Sequence, residues 1–199
     1  MTIKSLYTLL LVSLFALCFF SCNQSQDNSG ETEVSEESPG NEPPATTIES
    51  PRKTASGSVW DVQVTVDYGS PAVKGREVWG GLEPYGKVWR AGANETTSIE
   101  LSEAVIINNV KVEKGKYGFY LIPNEQGPWV AILNTDWNRD EHGAWGAYNY
   151  NKENDVVRVE ITPEWQTEIK ERLEYEVKTD GILLIWEKVN IKIPLTPSV

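Results

Sequence analysis

Residues 58–68 read SVWDVQVTVDY. The even positions are Trp60, Val62, Val64, Val66 and Tyr68, and between them stand Asp61, Gln63, Thr65 and Asp67. A period of two sends successive side chains to opposite faces of an extended chain. The run therefore predicts a strand with one buried face that includes Trp60, and a helix would scatter the same valines around its axis. Gly69-Ser70-Pro71 ends it, because proline fixes φ and has no N–H for a ladder.

The same pattern predicts strands over 98–101, 104–107, 110–113, 117–122, 129–134 and 156–162. Asn108-Asn109 and Lys114-Gly115 supply turn residues that tolerate positive φ. The segment WQTEIKERLEYEV is ambiguous, since Trp165, Ile169 and Leu173 fit one helix face. Leu173, Tyr175 and Val177 alternate with charged residues, so a strand is expected from about Glu168. Asp180-Gly181 then turns into ILLIWEKVNIKIPL, where Ile191, Ile193 and Leu195 alternate again. Many short strands without a convincing long helix predict an all-β domain over 58–199. A single antiparallel β-sandwich is expected, with a jelly-roll-like or barrel-like closure as alternatives. Trp60, Trp129 and Trp186 fall in strand patterns and are assigned to its core.

The N-terminal part has a different character. Residues 1–21 combine Lys4 with the apolar run LYTLLLVSLFALCFF and end at Ser21 before Cys22, which predicts a secretory signal. A cysteine at that junction resembles a bacterial lipoprotein cleavage site, so Cys22 is the expected lipidation site; an ordinary signal peptide is the alternative. The other cysteine, Cys18, lies inside the signal, so the mature chain has no intrachain disulfide. Residues 23–57 hold seven acidic residues and four prolines and almost no large apolar side chain. Such a segment cannot offset its ordering entropy by burial and is assigned to a disordered tether spanning roughly 30–35 Å. The expected organisation is signal peptide 1–21, lipidated Cys22 with tether 22–57, and folded domain 58–199.

Charge and residue types narrow the chemistry. The chain carries a formal net charge of −11, and loss of Lys4 with the leader leaves 17 basic against 29 acidic side chains. That balance speaks against nucleic acid and against electrostatic docking on anionic lipid. Membrane contact would come through the lipid on Cys22. The single histidine, His142, excludes multi-histidine metal sites, and no Gly-x-Ser-x-Gly elbow or phosphate-binding glycine loop is present. Asp136, Asn138 and Asp140 have the alternating spacing of a calcium loop, but Glu141 stands where glycine is needed and Ala147 where an acid is needed. That segment reads as a solvated loop, and no metal or cofactor is expected.

The stretch GGLEPYGKVWRAGANETTSIELS, residues 80–102, is the richest in chemistry. It places Tyr85, Trp89, Arg90 and Asn94 among four glycines, and a second glycine-aromatic stretch, GAWGAYNY, holds Trp145 and Tyr150 shortly before Asp155 and Arg158. Aromatic faces beside polar groups suit flat amphipathic ligands such as sugar rings, and equally suit packing. A guanidinium among buried strands needs an acceptor, for which Asp155 and Glu95 are the candidates. The pattern serves a loop-pinning polar network or a clamp facing a pocket. In either case Arg90 and Asn94 are expected near the 145–158 segment.

These residues also carry a resemblance. VDYGSPAVKGREVWGGLEPYGKVWRAGANETTSIELS, GKYGFYLIPNEQGPWVAILN and WGAYNYNKENDVVRVEITP are together similar to domain-of-unknown-function family 2911, with LLIWEKVNIKIPL fitting its last strand. The positions matching its motifs are Gly75, Arg76, Gly80, Tyr85, Gly86, Trp89, Arg90, Gly92, Asn94, Thr96, Thr97, Asn134, Trp145, Gly146, Tyr150, Asp155 and Arg158. The resemblance implies an all-β fold and an exported protein or lipoprotein of Gram-negative bacteria. It implies no activity and no catalytic residue.

The expected function is binding of a small molecule, glycan or envelope protein by a membrane-anchored lipoprotein outside the cytoplasm, on the outer membrane, without catalysis. The candidate binding residues are Arg90, Asn94, Trp89, Tyr85, Trp145, Tyr150, Asp155 and Arg158. The alternatives are a carbohydrate-active or other hydrolase using Glu95 or Asp155 as acid or base, and a purely structural envelope domain.

Overall fold

The computed structural model describes residues 49–198. The signal segment, Cys22 and the tether up to residue 48 lie outside the described residues. The chain first forms a hairpin of β1 (Arg52–Val59) and β2 (Val62–Gly69), with Val59 facing Val62. Trp60 therefore stands in the turn, at φ +53° and 65 % exposed, and is not the core residue expected. The rest of the predicted face holds: Val62, Val64, Val66 and Tyr68 are buried. β1 also starts at Arg52, within the segment assigned to the tether by composition.

The chain continues through β3 (Thr97–Leu101), β4 (Val105–Ile107), β5 (Val110–Val112), β6 (Gly115–Ile122), β7 (Trp129–Asn134) and β8 (Asp155–Ile161). Strands β1-β2-β3-β6-β7-β8 form one antiparallel sheet in that order. A long hairpin, β9 (Glu164–Lys178) with β10 (Gly181–Pro194), and a small sheet in which β11 (Thr196–Pro197) pairs with β4 pack with it into an open sandwich. The ambiguous WQTEIKERLEYEV segment is strand throughout, four residues earlier than expected. Its first half leaves Trp165 and Ile169 exposed, and its second half buries Leu173 and Tyr175.

Four tryptophans join the layers. Trp79 meets Trp89, Trp129 and Trp186 edge-on at 5.5, 4.7 and 5.5 Å, and Trp89 stacks on Trp186 at 5.6 Å. Each such pair adds about 0.5–1.5 kcal/mol beyond area burial. The cluster draws the long β2–β3 connection into the core, since Trp79 and Trp89 both belong to it. Two further ties fix that connection: Trp89 exchanges backbone hydrogen bonds with Leu121, and Val73 N donates to Glu171 O.

Candidate functional site

Two irregular segments carry the candidate residues: the β2–β3 connection, and the β7–β8 connection with its short helix α1 (Arg139–His142). In the first, residues 90–94 make a tight turn with Ala91 at φ +48° and Asn94 at φ +62°. The Ala91 carbonyl accepts from Thr97 Oγ1 (3.2 Å) and Tyr175 OH (2.7 Å), so the strained residue is held from two sides. Gly69 is required beneath the turn, because a β-carbon there would overlap the carbonyl of Ala93. The turn folds Arg90 back on its own backbone, where Nη1 donates to Asn94 O at 2.7 Å. Asn94 Nδ2 donates to Ser50 O at 3.3 Å, which ties the turn to the start of the folded chain.

The two connections meet at Gly146. Thr96 Oγ1 donates to Gly146 O at 3.1 Å, and a β-carbon on Gly146 would overlap the Arg90 guanidinium. Arg90 and Asn94 thus lie beside the 145–158 segment, as the sequence suggests. Arg90's partners differ from those expected. Asp155 pairs with Arg158 at 2.8 Å, and Glu95 approaches Arg52 at 3.7 Å. Among the described residues no carboxylate lies within 4.0 Å of Arg90.

Arg90 and Asn94 line an open cavity of about 400 Å³ together with Lys74, Arg76 and Glu83. Arg76 is fixed like Arg90, by uncharged oxygens: Nε donates to Val73 O (3.1 Å) and Nη2 to Ala72 O (2.6 Å). Lys74 pairs with Glu49 at 2.6 Å. Burial pushes the Glu83 carboxyl up to about 7, against the opposing pull of Arg90 and Arg76.

The other candidate residues lie elsewhere. Trp89 is 3 % exposed in the tryptophan cluster and donates its indole N–H to Gly92 O. It is a core residue and lines none of the cavities beside Arg90, Tyr85 or Trp145. The Tyr85 ring packs over Gly80, where a β-carbon would come 2.7 Å from it, and lines a smaller cavity with Trp165. Trp145 helps line a separate cavity of about 410 Å³ with Trp137. Lys116 stands 4.4 Å over the Trp137 ring and Arg139 5.4 Å over Trp145.

Tyr150, Asp155 and Arg158 form a closed knot. Asp155 Oδ1 accepts from Asn134 Nδ2 (2.8 Å), and Oδ2 accepts from Tyr150 OH (2.6 Å) and Arg158 Nη1 (2.8 Å). Burial, then the bond to Asp155, raises the Tyr150 hydroxyl well above its ordinary value, and Asp155 raises Arg158. The Asp155 side chain is 6 % exposed with both oxygens engaged, which fits a fastener better than an acid or base. The calcium-like loop is used for turns: Asn138 caps α1 by accepting from Glu141 N, and Asp136 accepts from Asn154. His142 accepts from Trp137 N at 3.4 Å.

Sequence reasoning overlooked Glu83, Lys74 and Trp137 as cavity residues, and gave Arg76 no binding role. In so acidic a chain one glutamate among glycines and a proline carries no distinguishing signal.

Comparison with known proteins gives one family. The family described as "Protein of unknown function (DUF2911)" matches residues 50–195. No curated protein and no solved structure matches the chain.

Proposed function

The chain belongs to the DUF2911 family of proteins of unknown function, and from that premise we propose that it is a lipid-anchored domain of the bacterial cell envelope that binds a ligand in the cavity beside Arg90. The anchor rests on the leader, on Ser21-Cys22 and on the acidic segment after them. The binding role rests on one observation: the long β2–β3 connection, fixed by the tryptophan cluster and braced at Gly146, forms with residues 49 and 50 an open cavity whose two arginines are held in place by backbone carbonyls. A preformed concave site with a few convergent polar groups is the usual form of a small-molecule site. The hydrolase alternative draws no support from its named carboxylates, since Asp155 is saturated and Glu95 stands by Arg52.

Two measurements test the reading. Fatty-acid labelling of cells should mark the wild type and not Cys22→Ala; equal labelling removes the anchor. A thermal-shift screen of a chemically mixed library should find compounds that stabilise the mature protein but not Arg90→Ala. A screen without any Arg90-dependent compound would leave a purely structural envelope domain.

A further inference from the structure

We infer that the cavity takes the anionic head of its ligand, a carboxylate or a sulfate- or phosphate-like oxyanion, between Arg76 and Arg90, and that Glu83 competes with that head for the two guanidiniums. This rests on the reading of the cavity as the ligand site.

The mature chain, with 17 basic against 29 acidic side chains, disfavours anions on average. The cavity departs from that average: Lys74, Arg76 and Arg90 line it against Glu49 and Glu83. Lys74 and Glu49 neutralise each other. Two guanidiniums then remain against one carboxyl, and among the described residues neither lies within 4.0 Å of a carboxylate. Both are held by backbone carbonyls, which fix their positions without cancelling their charge. Among the described residues most N–H donors of each fork have no protein acceptor, and such a fork matches a carboxylate or oxyanion in two-point contact. Gly146 is a positioning residue, because the guanidinium of Arg90 occupies the space a side chain there would need.

Glu83 gives the site a sign. Its carboxyl titrates at about 7, with Arg90 and Arg76 drawing it down against burial. An anion between the arginines removes that pull and adds its own repulsion, so binding favours the protonated carboxyl. By linkage, affinity is greatest below about 7 and falls as pH rises through it. If only the protonated form binds, the fall between pH 5.5 and 8.5 reaches about 30-fold.

The test is calorimetric titration of the full mature chain at constant ionic strength with sulfate, which keeps its charge across this range. Propionate as a second probe separates a carboxylate site from an oxyanion site. Wild type should bind one or both, with affinity falling up to about 30-fold from pH 5.5 to 8.5. Glu83→Gln should keep the tight binding at both pH values, and Arg90→Gln should lose at least about tenfold, the order expected for losing a charge-assisted hydrogen bond. Because Glu83→Gln is expected to gain affinity, misfolding cannot imitate its result. Absence of binding of either anion to wild type and Glu83→Gln at pH 5.5 would overturn the inference. An Arg90-dependent neutral compound from the library would then leave the binding reading standing alone. A Glu83→Gln variant with the wild-type pH profile would remove Glu83 as competitor.

Discussion

The Arg90 guanidinium lies against the backbone of Gly146, with Cζ only 2.8 Å from where a β-carbon of residue 146 would stand. One residue opens a tight turn before β3 and the other lies in the loop before β8, so the contact braces the connection that lines the cavity against the β7–β8 loop. Gly146 also has φ +60°, a region costly for residues with a β-carbon. Gly146→Ala should therefore cost about 1–2 kcal/mol and displace Arg90. Gly69→Ala should cost more, about 3 kcal/mol, because there the obstacle is the Ala93 backbone and not the end of a flexible side chain. Urea unfolding of both variants checks the order; equal costs would contradict it.

Asp155 should behave as a fastener. Asp155→Ala strands Asn134, Tyr150 and Arg158 at once and should cost about 3 kcal/mol. Tyr150→Phe removes one donor to a carboxylate and should cost about 1–2 kcal/mol. Denaturant midpoints measure both. If either variant keeps full stability while losing ligand, the knot belongs to the site.

Glu83 should also leave a mark on stability without ligand. Its carboxyl titrates at about 7 in the folded protein, above its ordinary 4.5. A raised acid pKa means that the unfolded chain releases the proton first. The associated stability is complete below about 4.5 and is lost as pH rises through about 7. Partial exposure of the group limits the effect to about 2 kcal/mol. Melting curves of wild type and Glu83→Gln between pH 4.5 and 8 isolate it, since every other titrating group is shared. The variant should gain on wild type as pH rises, and parallel curves would deny the raised carboxyl.

β2 and β8 are legible by their alternation, and β7 is predicted to the residue as a short, nearly continuous apolar run, the mark of a strand covered on both faces. β1 is not, for a physical reason. Its inward positions include Ala55 and Gly57, and Gly57 must be small because a β-carbon there would come 2.9 Å from Val177 Cβ. A strand pressed this closely by another carries the composition of a linker. The turn at Trp60-Asp61 also lacks the usual glycine or asparagine, so the alternation of β2 reads backwards through it. In the site, the nearness of Arg90 to Gly146 followed from two glycine-rich segments needing partners. Asp155 with Arg158 did not, because residues three apart on a regular strand face opposite ways. A register shift pairs Leu133 with Val157 and Asn134 with Asp155, and the extra residue brings Asp155 and Arg158 together.

The start of β1 gives the last prediction. A chain beginning at Glu49 keeps the whole strand, whereas one beginning at Ala55 lacks Arg52, Pro51 and Ser50. Arg52 binds Asp67 at 2.8 Å and the carbonyl of Thr96 at 3.2 Å, which links β1 to the end of the Arg90 turn. Pro51 O accepts from Ser70 N at 2.9 Å, and Ser50 O accepts from Asn94. Several of these bonds are solvent-exposed and individually weak, but together they close one edge of the sheet and one wall of the cavity. The shorter chain should be less stable by about 2–4 kcal/mol and should lose Arg90-dependent binding. Paired urea titrations of the two chains measure the difference. Equal midpoints would return residues 49–54 to the tether, where their composition alone would place them.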